Sequence, residues 1–255
     1  MIILYWLAFC VFVFLVGTTA KRLSGPSFSE FLIISFLLFA GSIIPVGFLL
    51  SPLNLVAQTW AWIVGVYLAI GIHYVFWGKI YRAQPFSLRE LIANRARWFK
   101  SWFKDLSPYL KVLFVLLLGT LAVIGVTNLA LVLFTVPNEW DSMTGHLNRP
   151  LRYIQHGNMK HFGGTNWNMD TYPKSLTGIH IFTFLISGKI ENAFKLMHHA
   201  SYWLTIVAVF GIAQRIGRNF TASLFCALSY SMFLNFLMQA VTTETDIVLT
   251  AYMSS

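Results

Sequence analysis

The chain has 255 residues, 57% of them hydrophobic and 11% charged, with a formal net charge of +9. A soluble domain carries roughly 25% charged residues. Charge this sparse, with apolar runs close to the roughly 20 residues that cross a bilayer, excludes an ordinary water-soluble fold and points to a polytopic membrane protein. The cations lie in loops between apolar runs, as in cytoplasmic loops of membrane proteins, which argues for membrane lipids as partners and against nucleic acid.

In lipid every backbone polar group must be satisfied within the segment, and the runs lack the alternation of barrel strands. The fold class is therefore all-α: a transmembrane helix bundle of about seven spans, with an external loop carrying short interfacial helices. Cys10 and Cys226 sit inside apolar runs and read as small core residues, which leaves the redox compartment undetermined. The first segment has no basic stretch before it and reads as a retained helix.

In chain order, the first span is expected over 2–18, followed by Lys21 and Arg22, and the second over 31–50. An uncharged turn at Ser51, Pro52, Leu53 and Asn54 leads to a third over 56–77. Residues 79–111 then gather Lys79, Arg82, Arg89, Arg95, Arg97, Lys100, Lys104 and Lys111, with Leu88, Leu91, Ile92, Phe99, Trp102, Phe103 and Leu106 at helical spacing. That pattern predicts an amphipathic helix in the membrane interface, with a linker helix packed on the bundle as the alternative. The fourth span is expected over 110–134, and Pro137 ends it. The apolar stretch 176–187 is too short to cross and reads as re-entrant or interfacial. The fifth span follows over 202–216, the sixth over 220–240, and the chain stops at Ser255, apparently inside a seventh. Three parts result: an N-terminal three-span appendage (1–78), the basic amphipathic helix (79–108) and a transmembrane core (109–255) that reads as truncated.

If the basic loops at Lys21 and Arg22, at 79–111 and at Arg215 and Arg218 are cytoplasmic, six crossings before Asp246 make the assignments agree. Asp141, Asp170, Glu244 and Asp246 then share the opposite, non-cytoplasmic face.

Taken alone, Asp141 reads as a solvated loop acid. Its neighbours change that: His146, Arg149, Arg152, Tyr153, His156, Lys160 and His161 follow closely. A carboxylate among cations at a bilayer face suits a general base beside an acidic lipid headgroup, since Arg matches phosphate oxygens. Anchoring to lipid headgroups is the plainer alternative. His156 with His161, and His198 with His199, show no full metal-ligand set. His73 and His180 are single histidines in apolar runs and read as bundle residues.

The run Trp140-Asp141-Ser142-Met143-Thr144-Gly145-His146-Leu147-Asn148-Arg149, continued by Tyr153-Ile154-Gln155-His156-Gly157-Asn158, resembles the first external loop of bacterial GT-C glycosyltransferases of the protein mannosyltransferase and aminoarabinose transferase type. Gly145 and Asn148 depart from the tyrosine and proline of that pattern. Gln239 and Thr242-Thr243-Glu244-Thr245-Asp246-Ile247-Val248 resemble the start of a later span of the same group. Together the matches cover roughly residues 110–255.

The resemblance implies an inverting glycosyltransferase of the bacterial inner membrane. It would move a sugar from a polyprenyl-phosphate donor to an acceptor whose identity is open. Asp141 would be the general base and Asp246 a second catalytic acid, orienting acceptor or sugar or holding a divalent ion where one is used. His146, Arg149, Arg152, Asp170 and Glu244 would bind substrate, with Arg149 or other cations stabilising the departing phosphate. The alternative is a shortened, non-catalytic relative serving as a subunit of a larger membrane complex. The reading frame beyond Ser255 discriminates the two. A transporter is disfavoured, because charge is scarce within the spans.

Overall fold

The computed structural model describes residues 2–24, 27–80, 88–163 and 173–255. Asp170 and Arg82 lie outside the described residues. Helix α1 spans Ile2–Leu23, α2 Phe28–Leu50, α3 Thr59–Ile80, α4 Leu88–Asp105 and α5 Pro108–Phe134. After a π-turn at Ser142–His146 come α6 (Asn148–His156) and α7 (Ser175–Ile186). A 3₁₀ turn at Glu191–Lys195 leads into α8 (Leu196–Arg215), then α9 (Phe220–Ser231), α10 (Leu234–Gln239) and α11 (Asp246–Ser254). There is no strand among the described residues. Among the described residues, five helical segments are long and apolar enough to cross a membrane: Ile2–Leu23, Phe28–Leu50, Thr59–Trp77, Pro108–Phe134 and Glu191–Arg215. By length and composition the chain is a multi-pass helical membrane protein.

Local chemistry sets the helix limits. Ser27, Ser107 and Asn219 accept from the backbone N–H three residues on, at 3.5, 3.5 and 2.9 Å, capping α2, α5 and α9. Pro108 at the start of α5 loses no hydrogen bond there. Gly157, at φ 72°, closes α6 in the left-handed conformation, and its carbonyl accepts from Val56 N–H at 3.0 Å.

The N-terminal helices share their core with α7. Phe182 lies 5.9 Å from Phe12 and 6.1 Å from Trp62, ring centre to ring centre. A Cβ on Gly65 would stand 2.5 Å from a Val46 methyl, so glycine is what lets α2 and α3 approach so closely. Residues 177–186 of α7 are all buried. The stretch is thus a short plug inside the protein rather than a helix lying in the interface. A helix apolar on every side gains most by burying every side.

Other elements also depart from the linear reading. The sixth span is broken: α9 ends at Ser231, Phe233 is extended (ψ 120°), and α10 restarts at Leu234. No proline or glycine marks the break. The freed Ser231 carbonyl accepts from the buried Tyr202 hydroxyl at 2.8 Å, which is how a helix interruption at membrane depth is tolerated. Helix α4 docks its aromatic face on the bundle. Trp98 and Trp102 stand 4.4 and 4.9 Å from Phe220, and Trp102 Nε1 donates to Thr221 Oγ1 at 3.0 Å. Trp98 and Phe99 nonetheless keep 43% and 37% of their surface exposed, as on a helix at a membrane interface. Cys10 and Cys226 are free thiols on exposed helix faces, not core residues. Apolar surroundings in lipid do not distinguish an inward from an outward position.

The bundle has two chemically different ends. At one, Arg22 lies over the Tyr74 ring (3.9 Å), Arg215 faces Glu30 (3.6 Å), and α4 meets α9. At the other, Asn158 Nδ2 donates to Asn54 Oδ1 (2.8 Å), Met159 N–H donates to Ser51 Oγ (2.8 Å), and Ser142 meets Thr243.

Candidate functional site at the acidic end

The site is built on the exit of α5. The Leu131 carbonyl accepts from the Thr135 N–H at 3.2 Å and has room for a second donor, and the carbonyls beyond it lack an intrahelical partner. Lys195, 1% exposed, reaches them from the turn before α8. Its Nζ donates to the carbonyls of Leu131 (2.7 Å) and Thr135 (2.6 Å) and to Thr135 Oγ1 (2.8 Å). Asn192 Nδ2 donates to the Leu133 carbonyl at 2.6 Å. A cation at a helix C-terminus also complements the helix dipole. The segment leading to Asp141 therefore leaves from a fixed point.

Ser142 is fully buried and joins the two acidic loops. Its hydroxyl donates to Glu139 Oε2 at 2.6 Å. Its one proton is thereby used, so the Thr243 hydroxyl donates to Ser142 Oγ, at 2.5 Å. The result is a directed chain, Thr243 to Ser142 to Glu139, across 101 residues of sequence. The Leu147 N–H then donates to the Ser142 carbonyl at 2.9 Å, closing the π-turn that carries Met143 to His146.

Around this link the expected residues fall into distinct places. Asp141 and Asp246 are exposed, the latter as the first residue of α11. His146 is half-buried between them and Arg149. Burial chiefly, then the Arg149 charge, lowers the His146 pKa from its usual 6.5, while Asp141 and Asp246 act in the opposite sense. Glu244 is partly buried. Its pKa is raised by burial and then by Asp141, with smaller effects from Asp246 and Glu139, while a hydrogen bond with Gln239 acts the other way. Asp141, Glu244 and Asp246 thus form one electrostatic group, with Glu139 as a fourth member that the linear reading passed over. Glu139 precedes Ser142 by three residues, a spacing from which it could have been found.

The two arginines part company. Arg149 is buried, and its Nη2 donates to the Pro173 carbonyl at 3.0 Å, tying α6 to the start of α7. It is a positioning residue behind the loop. Arg152 is exposed on α6, and Lys160 beyond it is exposed too. Lys174, absent from the linear reading, donates from Nζ to the Met159 carbonyl at 2.6 Å and lies 5.7 Å from the Tyr153 ring centre. Burial, then Arg149, lowers its pKa.

Beneath the loops, His180 and His198 stack with ring centres 5.2 Å apart, both fully enclosed. His198 Nδ1 faces the Phe194 carbonyl at 3.3 Å, and His180 Nε2 finds no hydrogen-bond partner. Single histidines in apolar runs carry no signal that they will meet. His156 stacks on Phe162 at 5.4 Å. Among the described residues no three His, Cys, Asp or Glu side chains come together as a metal site.

Comparison with protein-family models, with curated proteins and with solved structures finds no match.

Proposed function

We propose that the chain is a membrane glycosyltransferase of the GT-C type. In this reading it transfers a sugar from a polyprenyl-phosphate donor to an acceptor at the non-cytoplasmic face. The observation that carries the reading is the Ser142–Thr243 link. It supports a single site made from two loops, each of which resembles one segment of that family.

Asp141 is then the general base. It takes the proton of the acceptor hydroxyl or amine as that atom bonds to the anomeric carbon. The carbon–oxygen bond to phosphate breaks on the opposite face, and polyprenyl phosphate leaves with the electron pair, inverting the configuration. A group for this task must reach solvent and substrate, and Asp141 is exposed. His146, its pKa lowered, is largely neutral at pH 7 and serves as a hydrogen-bonding group for sugar hydroxyls rather than as a fixed cation. Asp246 and Glu244 orient the acceptor. Arg152 meets the phosphate, and Arg149 holds α6 in place for it.

The test is Asp141→Asn in the complete protein, assayed for transfer from a polyprenyl-phosphate sugar. Turnover is expected to fall by about 10²–10⁴-fold, the usual worth of a positioned base. Undiminished turnover would overturn the assignment. Stable co-purification with a partner and no turnover by the unaltered protein would favour the subunit reading.

A further inference from the structure

The opposite end of the bundle holds a cavity of about 770 Å³ between α2, α4, α5, α8 and α9. Its volume lies within the roughly 300–1,000 Å³ of ligand sites. Helix-end residues Ser27, Trp98 and Gln214 line its outer part, and mid-helix residues Leu121, Ile206 and Leu228 line its inner part. Ser27, Ser29 and Gln214 are its polar lining residues, and the two serine hydroxyls already pair with each other at 2.9 Å. Such walls give water too few partners, and an empty void would forfeit the dispersion contacts of every lining group. The occupant is therefore hydrocarbon.

The depth defines which hydrocarbon. Ile206 and Gln214 on α8, and Leu228 and Phe220 on α9, are each separated by about 12 Å at the rise of an α-helix. One leaflet contributes about 15 Å, half of the roughly 30 Å bilayer core. The cavity thus matches one chain of a lipid from the adjacent leaflet, and a polyprenyl chain is too long for it.

The charge defines the headgroup. Arg215, next to the lining residue Gln214, is 78% exposed, and Arg218 follows it, also exposed. Glu30 and Asp105 are the nearby acids, and Glu30 already faces Arg215.

We propose that this cavity is a fixed site for one anionic glycerophospholipid. An acyl chain fills the space under α4, and the phosphate lies by Arg215 and Arg218. Bound there, the lipid holds α4 against α8 and α9. The proposal is independent of the transferase reading.

The test is native mass spectrometry of the whole chain in detergent, titrated separately with dioleoyl phosphatidylglycerol and dioleoyl phosphatidylcholine. One phosphatidylglycerol adduct per chain is expected, favoured on the order of tenfold, since each cation near a lipid surface contributes about 1 kcal/mol. Leu224→Trp, which fills the cavity, should abolish the adduct. Arg215→Gln with Arg218→Gln, both at exposed positions, should leave an adduct without headgroup preference, and this pair keeps the test valid if Leu224→Trp does not fold. Equal retention of the two lipids by the unaltered protein would overturn the proposal. So would a graded series of adducts with no single preferred one, or an adduct that survives Leu224→Trp in a folded protein.

Discussion

The two ends of the bundle solve the same problem, that of finishing helices in a polar zone, by different means. At the acidic end, helix ends and loops are knitted by buried and partly buried hydrogen bonds: Lys195 to α5, Thr243 to Ser142 to Glu139, and Arg149 to Pro173. At the cationic end, contacts are mostly aromatic or exposed, with one partly buried hydrogen bond from Trp102 to Thr221: Trp98 and Trp102 on Phe220, Arg22 over Tyr74, and Arg215 beside Glu30. A buried polar contact is costly to break because the remaining partner is stranded away from water, whereas an exposed one is replaced by solvent. The knitted end can hold side chains in a fixed arrangement, as a site requires. The other end is suited to a lipid surface that supplies its own partners.

That contrast is open to test by graded substitution. The largest effect is expected for Lys195→Ala, which strips donors from two carbonyls and a hydroxyl in a buried place. The loss should be about 3–5 kcal/mol, read as a lowered thermal midpoint in detergent. Ser142→Ala removes the link between the acidic loops and should cost about 1–2 kcal/mol. In a double-mutant cycle with Thr243→Val the two losses should fail to add; additive losses would mean that the link carries no energy.

A smaller, pH-dependent effect belongs to His146. Its folded pKa lies below the usual 6.5, so the unfolded chain takes up a proton that the folded chain refuses. Stability is full above pH 6.5 and declines as pH falls toward the folded value. His146→Gln should flatten that decline in melting curves taken between pH 5 and pH 7. Glu244 works in the opposite sense, because its folded pKa is raised. Its contribution is full below the ordinary carboxylate value and is lost as pH rises through the folded one. The smallest effect is expected at the cationic end. Arg215→Gln, in an exposed pair at 3.6 Å, should change stability by less than about 0.5 kcal/mol. A loss as large as that of Ser142→Ala would erase the distinction between the ends.

Much of the fold could be read in advance because lipid imposes a simple rule: an apolar run of sufficient length must be helical to satisfy its backbone. Spans such as Phe28–Leu50 and Pro108–Phe134 follow from composition and from their capping serines and proline. The interruption at Met232 and Phe233 did not, because its stabilising partner, Tyr202, lies on another helix. The burial of α7 did not, because an apolar stretch reads alike whether protein or lipid surrounds it. The outward positions of Cys10 and Cys226 escaped for the same reason.

For the candidate site, sequence alone determined the chemical types present: carboxylates, a histidine and cations on two loops flanked by apolar helices. Only the tertiary structure decided which of them act together. It placed Glu139 with the acids, turned Arg149 inward as a positioning residue and left Arg152 exposed. It also stacked His180 on His198 and brought Lys195 to the end of α5. Each depends on contacts between residues far apart in the chain, set by helix packing, and local pattern carries no information about such pairs.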